Sequence, residues 1–139
     1  MERIVGIDFG TKRTGLAVSD PLGIFASALD TVPAAETISF LQSYLLKQSV
    51  SRFVVGYPKN LDNTPSKNAH YVELFVRQLK KTFPSIPVSY EDERFTSKMA
   101  FRAMIDGGLK KMQRRNKATV DKVSAALILQ GYLDSQSNL

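Results

Sequence analysis

The amino-acid sequence predicts an α/β fold with one mixed, five-stranded sheet and helices on both of its faces. Three strand-like segments come first, separated by short turns, and helix and strand segments then alternate. Strands joined by tight turns pair antiparallel, whereas a strand–helix–strand order pairs strands in parallel. We therefore expect an antiparallel arrangement of the first three strands and a parallel second half.

The five strands are predicted from runs rich in apolar and β-branched residues. They are residues 3–9, 16–19, 26–32, 53–56 and 88–93. Glycine-rich residues 10–15 are expected to form the turn after the first strand, and Pro21-Leu22-Gly23 the turn before the third.

Helices are predicted where apolar residues recur every three or four positions. Ile38, Leu41 and Leu45 mark the first helix. The second has a longer stripe and is expected to begin at Thr64-Pro65, an N-cap followed by a first-turn proline. That stripe consists of Val72, Phe75, Val76, Leu79 and Phe83.

Two more helices are predicted in the last third of the chain. Thr96 can cap a short helix that ends near Gly107-Gly108, and the final helix spans about residues 119–133. The 139 residues fit a single domain, residues 1–139.

Composition excludes several functional classes. The chain has no cysteine, which excludes disulfides, thiolate zinc sites and cysteine nucleophiles. It lacks a signal-peptide pattern and any apolar run of membrane-spanning length, so we expect a cytoplasmic protein without a membrane partner.

Positive charge is concentrated in one segment. The net charge is +6, yet residues 94–122 alone carry nine basic and two acidic residues. A basic surface of this kind favours a polyanion such as nucleic acid, although a solvated basic loop would have the same composition.

Three acidic residues are candidates for both catalysis and metal binding. Asp8 ends the first predicted strand, Glu93 ends the fifth, and Asp121 opens the last helix. Carboxylates suit hard cations such as Mg²⁺ or Mn²⁺, and a pair of such ions is the usual means of cutting a phosphodiester. The sequence therefore predicts a nuclease that uses Mg²⁺ or Mn²⁺, with two ions expected.

Each acid also has a simpler interpretation. Asp8 could accept backbone N–H groups of the following turn, and Asp121 could only complement the helix dipole. Alternation places Glu91 and Glu93 on one face and Asp92 on the other, so a shift in register would change which acid meets Asp8. Asp121 favours the functional interpretation because it heads an inward-facing stripe, namely Asp121, Ser124, Ala125, Ile128 and Tyr132.

Eight residues near these acids are candidates for binding substrate. They lie on the turn after Asp8, after the fourth and fifth strands, and in the basic connector before the last helix. Backbone amides and cations in such positions can hold phosphate groups. Lys117 could instead pair with Asp121 one helical turn away. The set is Lys12, Arg13, Thr14, Lys59, Arg94, Arg114, Arg115 and Lys117.

Four segments of the chain resemble the motifs of the YqgF/RuvX family, in order and at plausible spacing from about Arg3 to Leu133. Residues 6–15 resemble its opening motif. The others are Val55-Gly56-Tyr57-Pro58, Asp92-Glu93-Arg94-Phe95-Thr96, and the stretch from Lys117 through Asp121 with Ala125-Ala126 and Ile128-Leu129. The resemblance implies an RNase H-like fold and a nuclease, with Asp8, Glu93 and Asp121 at the family's acidic positions. Family members are described as nucleases that mature the 5′ end of pre-16S rRNA and as Holliday junction resolvases.

Other functions remain open at this point. Junction resolution predicts a stable dimer, and no long apolar helix is free to build one, so a monomer is favoured. The family resemblance implies structured RNA as the substrate ahead of branched DNA. A module that binds nucleic acid without cutting it is a further alternative. Asp8-Phe9-Gly10-Thr11 also resembles the first phosphate loop of sugar kinases, actins and heat-shock ATPases, but those need two such domains.

Overall fold

The structure is a computed structural model that describes residues 2–58, 66–92 and 117–137. Five strands form one sheet in the order β3-β2-β1-β4-β5. β1 (Glu2–Phe9), β2 (Arg13–Ser19) and β3 (Ala26–Pro33) are antiparallel neighbours. β4 (Ser49–Tyr57) and β5 (Val88–Asp92) extend the sheet in parallel with β1. The predicted mixed sheet is confirmed.

Three α-helices pack on this sheet within the part of the chain that the structure describes. α1 (Thr37–Lys47) follows a short 3₁₀ turn, Ala34–Glu36, and α2 (Ala69–Thr82) precedes β5. The last helix, α3, spans Lys117–Ser137 and begins two residues before the predicted start. No helix within these described ranges is both long and apolar enough to cross a membrane.

α1 and α2 cover one face of the sheet, where the larger buried side chains lie. Ile7, Leu16 and Phe53 from the strands pack there with Leu41 of α1 and Leu79 of α2, all of them fully buried. The predicted apolar stripes of both helices face this core, which confirms the helical periodicity on which they were predicted.

α3 covers the opposite face, where smaller residues line the contact. Ala17 and Val54 of the sheet pack against Ala125, Ile128 and Leu129 of the helix. A Cβ added to Gly6 would lie 2.7 Å from the Cβ of Leu129, which is closer than side chains tolerate. The helix can therefore approach β1 closely because position 6 has no side chain.

Strand β2 begins earlier than the sequence predicted. The N–H of Gly10 donates to the carbonyl of Arg13 over 2.9 Å, so the turn covers only residues 10–12. Gly15 is a strand residue paired with Asp8. Its glycine suggested a turn, but here it accommodates the backbone of Asp121, which a Cβ at position 15 would strike. The prediction of a turn through residue 15 was wrong because this contact is with a distant helix.

Two other boundaries differ from expectation. β4 begins at Ser49 instead of Phe53, since its polar first half pairs with β1 from Glu2 onwards. α2 begins at Ala69, beyond the predicted start at Thr64-Pro65, and that dipeptide lies outside the described residues. The helix predicted from Thr96 to Gly107-Gly108 also lies outside them.

Candidate metal and nucleic-acid site

The three parallel strands end at one edge of the sheet. β1 ends at Phe9, β4 at Tyr57 and β5 at Asp92. Ligand sites of open α/β sheets lie beyond the carboxyl ends of their parallel strands. The candidate residues that follow these strands in sequence thus start from a common edge.

Asp8 lies on the face of β1 that α3 covers. Side chains alternate along a strand, so Asp8 shares a face with Ile4 and Gly6. Ile4 packs against the α3 cluster, and Gly6 lies directly under Leu129. The facing predicted for Asp8 is therefore confirmed.

Asp121 comes to this face through the contact of α3 with β2. A Cβ on Gly15 would collide with the backbone of Asp121, and Gly15 is the direct cross-strand partner of Asp8. Directly opposed residues in an antiparallel pair have Cα atoms about 5 Å apart. Asp8 and Asp121 are consequently neighbours across one glycine, although 113 positions separate them in the sequence.

The inward stripe of the last helix is also present. Ser124, Ala125 and Ile128 are buried, and Tyr132 packs partly buried against the same cluster. Asp121 is the fifth residue of α3, and the first turn of the helix contains no acid. This position argues against the interpretation that Asp121 only complements the helix dipole, because that interaction is confined to the first turn.

Asp121 forms an ion pair with Arg13. The Nε–H of Arg13 donates to Oδ2 of Asp121 over 2.8 Å, and the two side chains are 38% and 25% exposed. Reasoning from sequence placed Arg13 on a turn and missed this pair. Knowing that β2 begins at Arg13 would have revealed it, since Arg13 and Gly15 then share the α3 face.

Glu91 also faces α3, but it meets the helix far from Asp121. Its Oε1 is 3.6 Å from the position of a Cβ on Gly131, which lies ten residues after Asp121, about 15 Å along the helix axis. Burial, and then the neighbouring charge of Asp92, raise the pKa of Glu91. The geometry therefore separates Glu91 from the Asp8–Asp121 pair.

Asp92 lies on the other face of β5 and lines a small cleft with Tyr57, Glu73 and Tyr90. The Tyr57 hydroxyl donates to Glu73 there, over 2.6 Å. Glu93 lies outside the described residues. Its assignment as the third ligand stays a prediction.

The two placed carboxylates fit a hard divalent cation. Both supply oxygen ligands, and Asp121 already has a cationic partner in Arg13. Among residues 2–58, 66–92 and 117–137, however, no three aspartate, glutamate, histidine or cysteine side chains gather as a metal-binding group.

The predicted substrate-binding residues have different outcomes. Lys12 is exposed on the turn after β1. Thr14 is fully buried on the other face, where its hydroxyl accepts a hydrogen bond from that of Thr37 over 2.7 Å. The prediction that Thr14 binds substrate is therefore wrong, because a hydroxyl without solvent access cannot contact a nucleic acid. The remaining candidates fall outside the described side chains, namely Lys59, Arg94, Arg114, Arg115 and Lys117.

A family model described as "RuvX: Holliday junction resolvase" matches residues 2–135. The chain belongs to the RuvX family. It is 53% identical over 136 residues to a Bacteroides thetaiotaomicron protein named "Putative pre-16S rRNA nuclease", covering 98% of this chain and 99% of that protein. A protein of the same name from Parabacteroides distasonis is 52% identical over 136 residues, covering 98% of this chain and 97% of that protein.

Solved structures show the same fold at low sequence identity. A Thermus thermophilus RuvC in complex with a Holliday junction substrate has a TM-score of 0.59 and 19% identity, covering 99% of this chain and 96% of that one. The fowlpox virus Holliday junction resolvase has a TM-score of 0.52 and 12% identity, covering 96% and 99%. The chain of the RuvX family therefore has the RNase H-like α/β fold that its motifs implied.

Proposed function

We propose that this chain is a metal-dependent nuclease that hydrolyses phosphodiester bonds and processes the 5′ end of pre-16S rRNA. The observation that carries the proposal is the close approach of the Asp121 backbone to Gly15, which is the cross-strand partner of Asp8. Acids brought together from the beginning and the end of the chain form an oxygen donor set that suits a divalent cation, and Arg13 offsets part of their charge. The name of the Bacteroides relative supports RNA as the substrate.

Asp8, Asp121 and Glu93 would hold Mg²⁺ or Mn²⁺, with two ions expected. Two carboxylates about 4 Å apart repel by about 4 kcal/mol at an effective dielectric near 20. Neighbouring ionised carboxylates therefore bind cations readily. When bound, the metal lowers the pKa of a coordinated water and neutralises charge on the scissile phosphate.

Basic residues of the chain would bind the nucleic-acid backbone beside the acids. Lys12 and Arg13 flank the turn after β1, close to Asp8 in sequence and in the sheet. Lys59, Arg94, Arg114, Arg115 and Lys117 complete the proposed set. Their charges would hold phosphates while the acids act on one of them, and binding should weaken as salt increases.

Holliday junction resolution is the second candidate function. The description of the family model and the fold shared with RuvC favour it. Symmetric cutting of a four-way junction needs two active sites related by a two-fold axis, and therefore a dimer. A monomer, which we favour, cuts structured RNA with one site.

Cleavage of three matched substrates tests the proposal. The wild-type chain is incubated with a structured RNA carrying the pre-16S 5′ end, single-stranded DNA and a four-way junction, each with Mg²⁺ or Mn²⁺. Asp8→Asn and Asp121→Asn should bind RNA normally but cut it at least about a hundredfold more slowly. Asp134→Asn is a matched control, since this acid lies on the same helix and is exposed.

Each outcome has a distinct meaning. Metal-dependent RNA cleavage that both site variants lose supports the proposal. Symmetric nicking of the junction by a stable dimer would favour resolution instead. Binding without cleavage by the wild type in either metal would leave only a nucleic-acid-binding module.

A further inference from the structure

Backbone contacts fix the position of Arg13 at the candidate site. Its carbonyl accepts the N–H of Gly10 over 2.9 Å, and its Cα is paired with Pro33 of β3. The strand at Arg13 is thus held from both sides. Rotation of the side chain alone is then enough to change the contacts of the Arg13 guanidinium.

The contact between Arg13 and Asp121 is suited to exchange. The 2.8 Å bond joins Nε of Arg13 to Oδ2 of Asp121, without the two-nitrogen fork that makes arginine–carboxylate pairs strong. Both side chains are partly exposed. Ion pairs of this kind contribute little stability, so a competing cation can replace one partner.

We propose that Arg13 stands in for the divalent ion at Asp121 and is displaced towards a substrate phosphate when the ion binds. This inference rests on the proposed metal-dependent nuclease. The guanidinium offsets part of the negative charge that Asp8 and Asp121 bring together. The Arg13 guanidinium would be repelled from Asp121 if a divalent ion were bound there, since the ion would supply the positive charge instead. The released planar group has the geometry that binds phosphate.

Metal affinity without nucleic acid provides the first test. Mn²⁺ is titrated calorimetrically into the full chain as wild type, Arg13→Gln, Arg13→Lys and Arg52→Gln. Arg52 is the control, because it is a partly buried arginine that bonds to Ser89 rather than to an acid of the site. Arg13→Gln should bind Mn²⁺ roughly three- to fivefold more tightly, as expected for loss of a competing surface ion pair. Arg13→Lys and Arg52→Gln should stay close to the wild type.

An NMR titration of the wild type supplies a readout that needs no variant at Arg13. The Nε–H resonance of Arg13 should shift or broaden as Mg²⁺ saturates the protein, because its bond to Asp121 is lost. The Nε–H of Arg3 is an internal control, since it donates to Oε1 of Gln48 over 3.1 Å at the other end of β1. That resonance should not move.

Two results would overturn the inference while leaving the nuclease intact. They are Mn²⁺ affinity in Arg13→Gln equal to or below the wild type, and an Arg13 resonance that is unchanged at saturating Mg²⁺. Failure of the nuclease proposal looks different. In that case the wild type binds no Mn²⁺, or Asp8→Asn binds it as tightly as the wild type, and the inference falls with it.

Discussion

The two faces of the sheet are packed by opposite means. On the α1–α2 face, large side chains such as Phe53, Leu16 and Leu79 fill the space between sheet and helices. On the α3 face, Gly6 and Gly15 have no side chain and bring the helix backbone almost onto the strands. The first face is filled by large apolar side chains, whereas the second brings two main chains together.

This difference separates stability from site geometry. Burial of large apolar side chains is the main source of folding free energy. Glycine contributes little burial and loses more conformational freedom on folding, so a close glycine contact needs another reason. That reason is the position of Asp121, which this contact places beside Asp8. Substitutions on the two faces should therefore affect different quantities.

The largest expected effect is on stability, from Phe53→Ala. Phe53 is fully buried on the α1–α2 face and its ring packs against that of Phe83 at a centroid distance of 5.4 Å. Removing it should lower the free energy of unfolding by about 3–5 kcal/mol, measured by urea denaturation. Cleavage per folded molecule should stay near the wild-type value at low temperature. A specific loss of cleavage in the folded fraction would show that the two faces are not separable.

Gly15→Ala should mainly lower the cleavage rate, with a smaller loss of stability than Phe53→Ala. The added methyl group meets the backbone of Asp121, so α3 must shift, at a cost of about 1–3 kcal/mol in stability. A displacement of about 1 Å at a catalytic group can lower activity by about a hundredfold. Gly23→Ala is the matched control. Gly23 lies on the turn between β2 and β3 at φ +71° with open space around it, so this variant should lose stability only. Equal cleavage rates for the two variants would contradict the role of Gly15.

A smaller effect is expected from Thr37→Val on the α1 side. The Thr37 hydroxyl donates to Thr14 over 2.7 Å and lies 2.9 Å from the carbonyl of Ala34, and both threonines are fully buried. Its loss leaves buried polar atoms without this partner and should cost about 1–3 kcal/mol. Cleavage should hardly change, since Thr14 contacts no substrate. Thermal unfolding with a parallel cleavage assay decides the matter, and a large loss of activity at full stability would restore Thr14 to the site.

The smallest effect on stability is expected from Asp20→Ala, on the turn between β2 and β3. The Asp20 carboxylate accepts the N–H of Phe25 over 2.9 Å and that of Ile24 over 2.7 Å, and the bond from Phe25 is the main cause that lowers its pKa. A lowered folded-state pKa stabilises the protein above the ordinary value near 3.8, and this stabilisation is lost as pH falls through the folded value. The variant should melt at a lower temperature than the wild type at neutral pH. The difference in melting temperature between the wild type and the variant should close below pH 3.8. A difference that is constant with pH would refute the mechanism.

Local patterns were enough to predict the sheet and the facing of its acids. Short turns predicted the antiparallel first half of the sheet, and the strand–helix alternation predicted its parallel second half. Period-two alternation placed Asp8 on the face of Gly6. Helical periodicity turned Asp121 inward. These features depend on residues close together in the chain, which is why they could be predicted from sequence.

The incorrect predictions concern contacts between distant segments. Gly15 and Thr14 were assigned to a turn because glycine and threonine are common there, yet their positions depend on Asp121 and Thr37. The ion pair of Arg13 depends on the same contact across 108 positions. No local pattern encodes such pairs, since they follow from how α1 and α3 pack on the sheet.

A double-mutant cycle tests the central claim, that Asp8 and Asp121 act together in one metal site. Cleavage of the matched RNA in Mg²⁺ is measured for the wild type, Asp8→Asn, Asp121→Asn and the double variant. Residues that act as a unit have strongly non-additive effects, so the double variant should be about as slow as the slower single variant. Single losses that multiply in the double variant would mean that the two acids act independently, and would contradict the account.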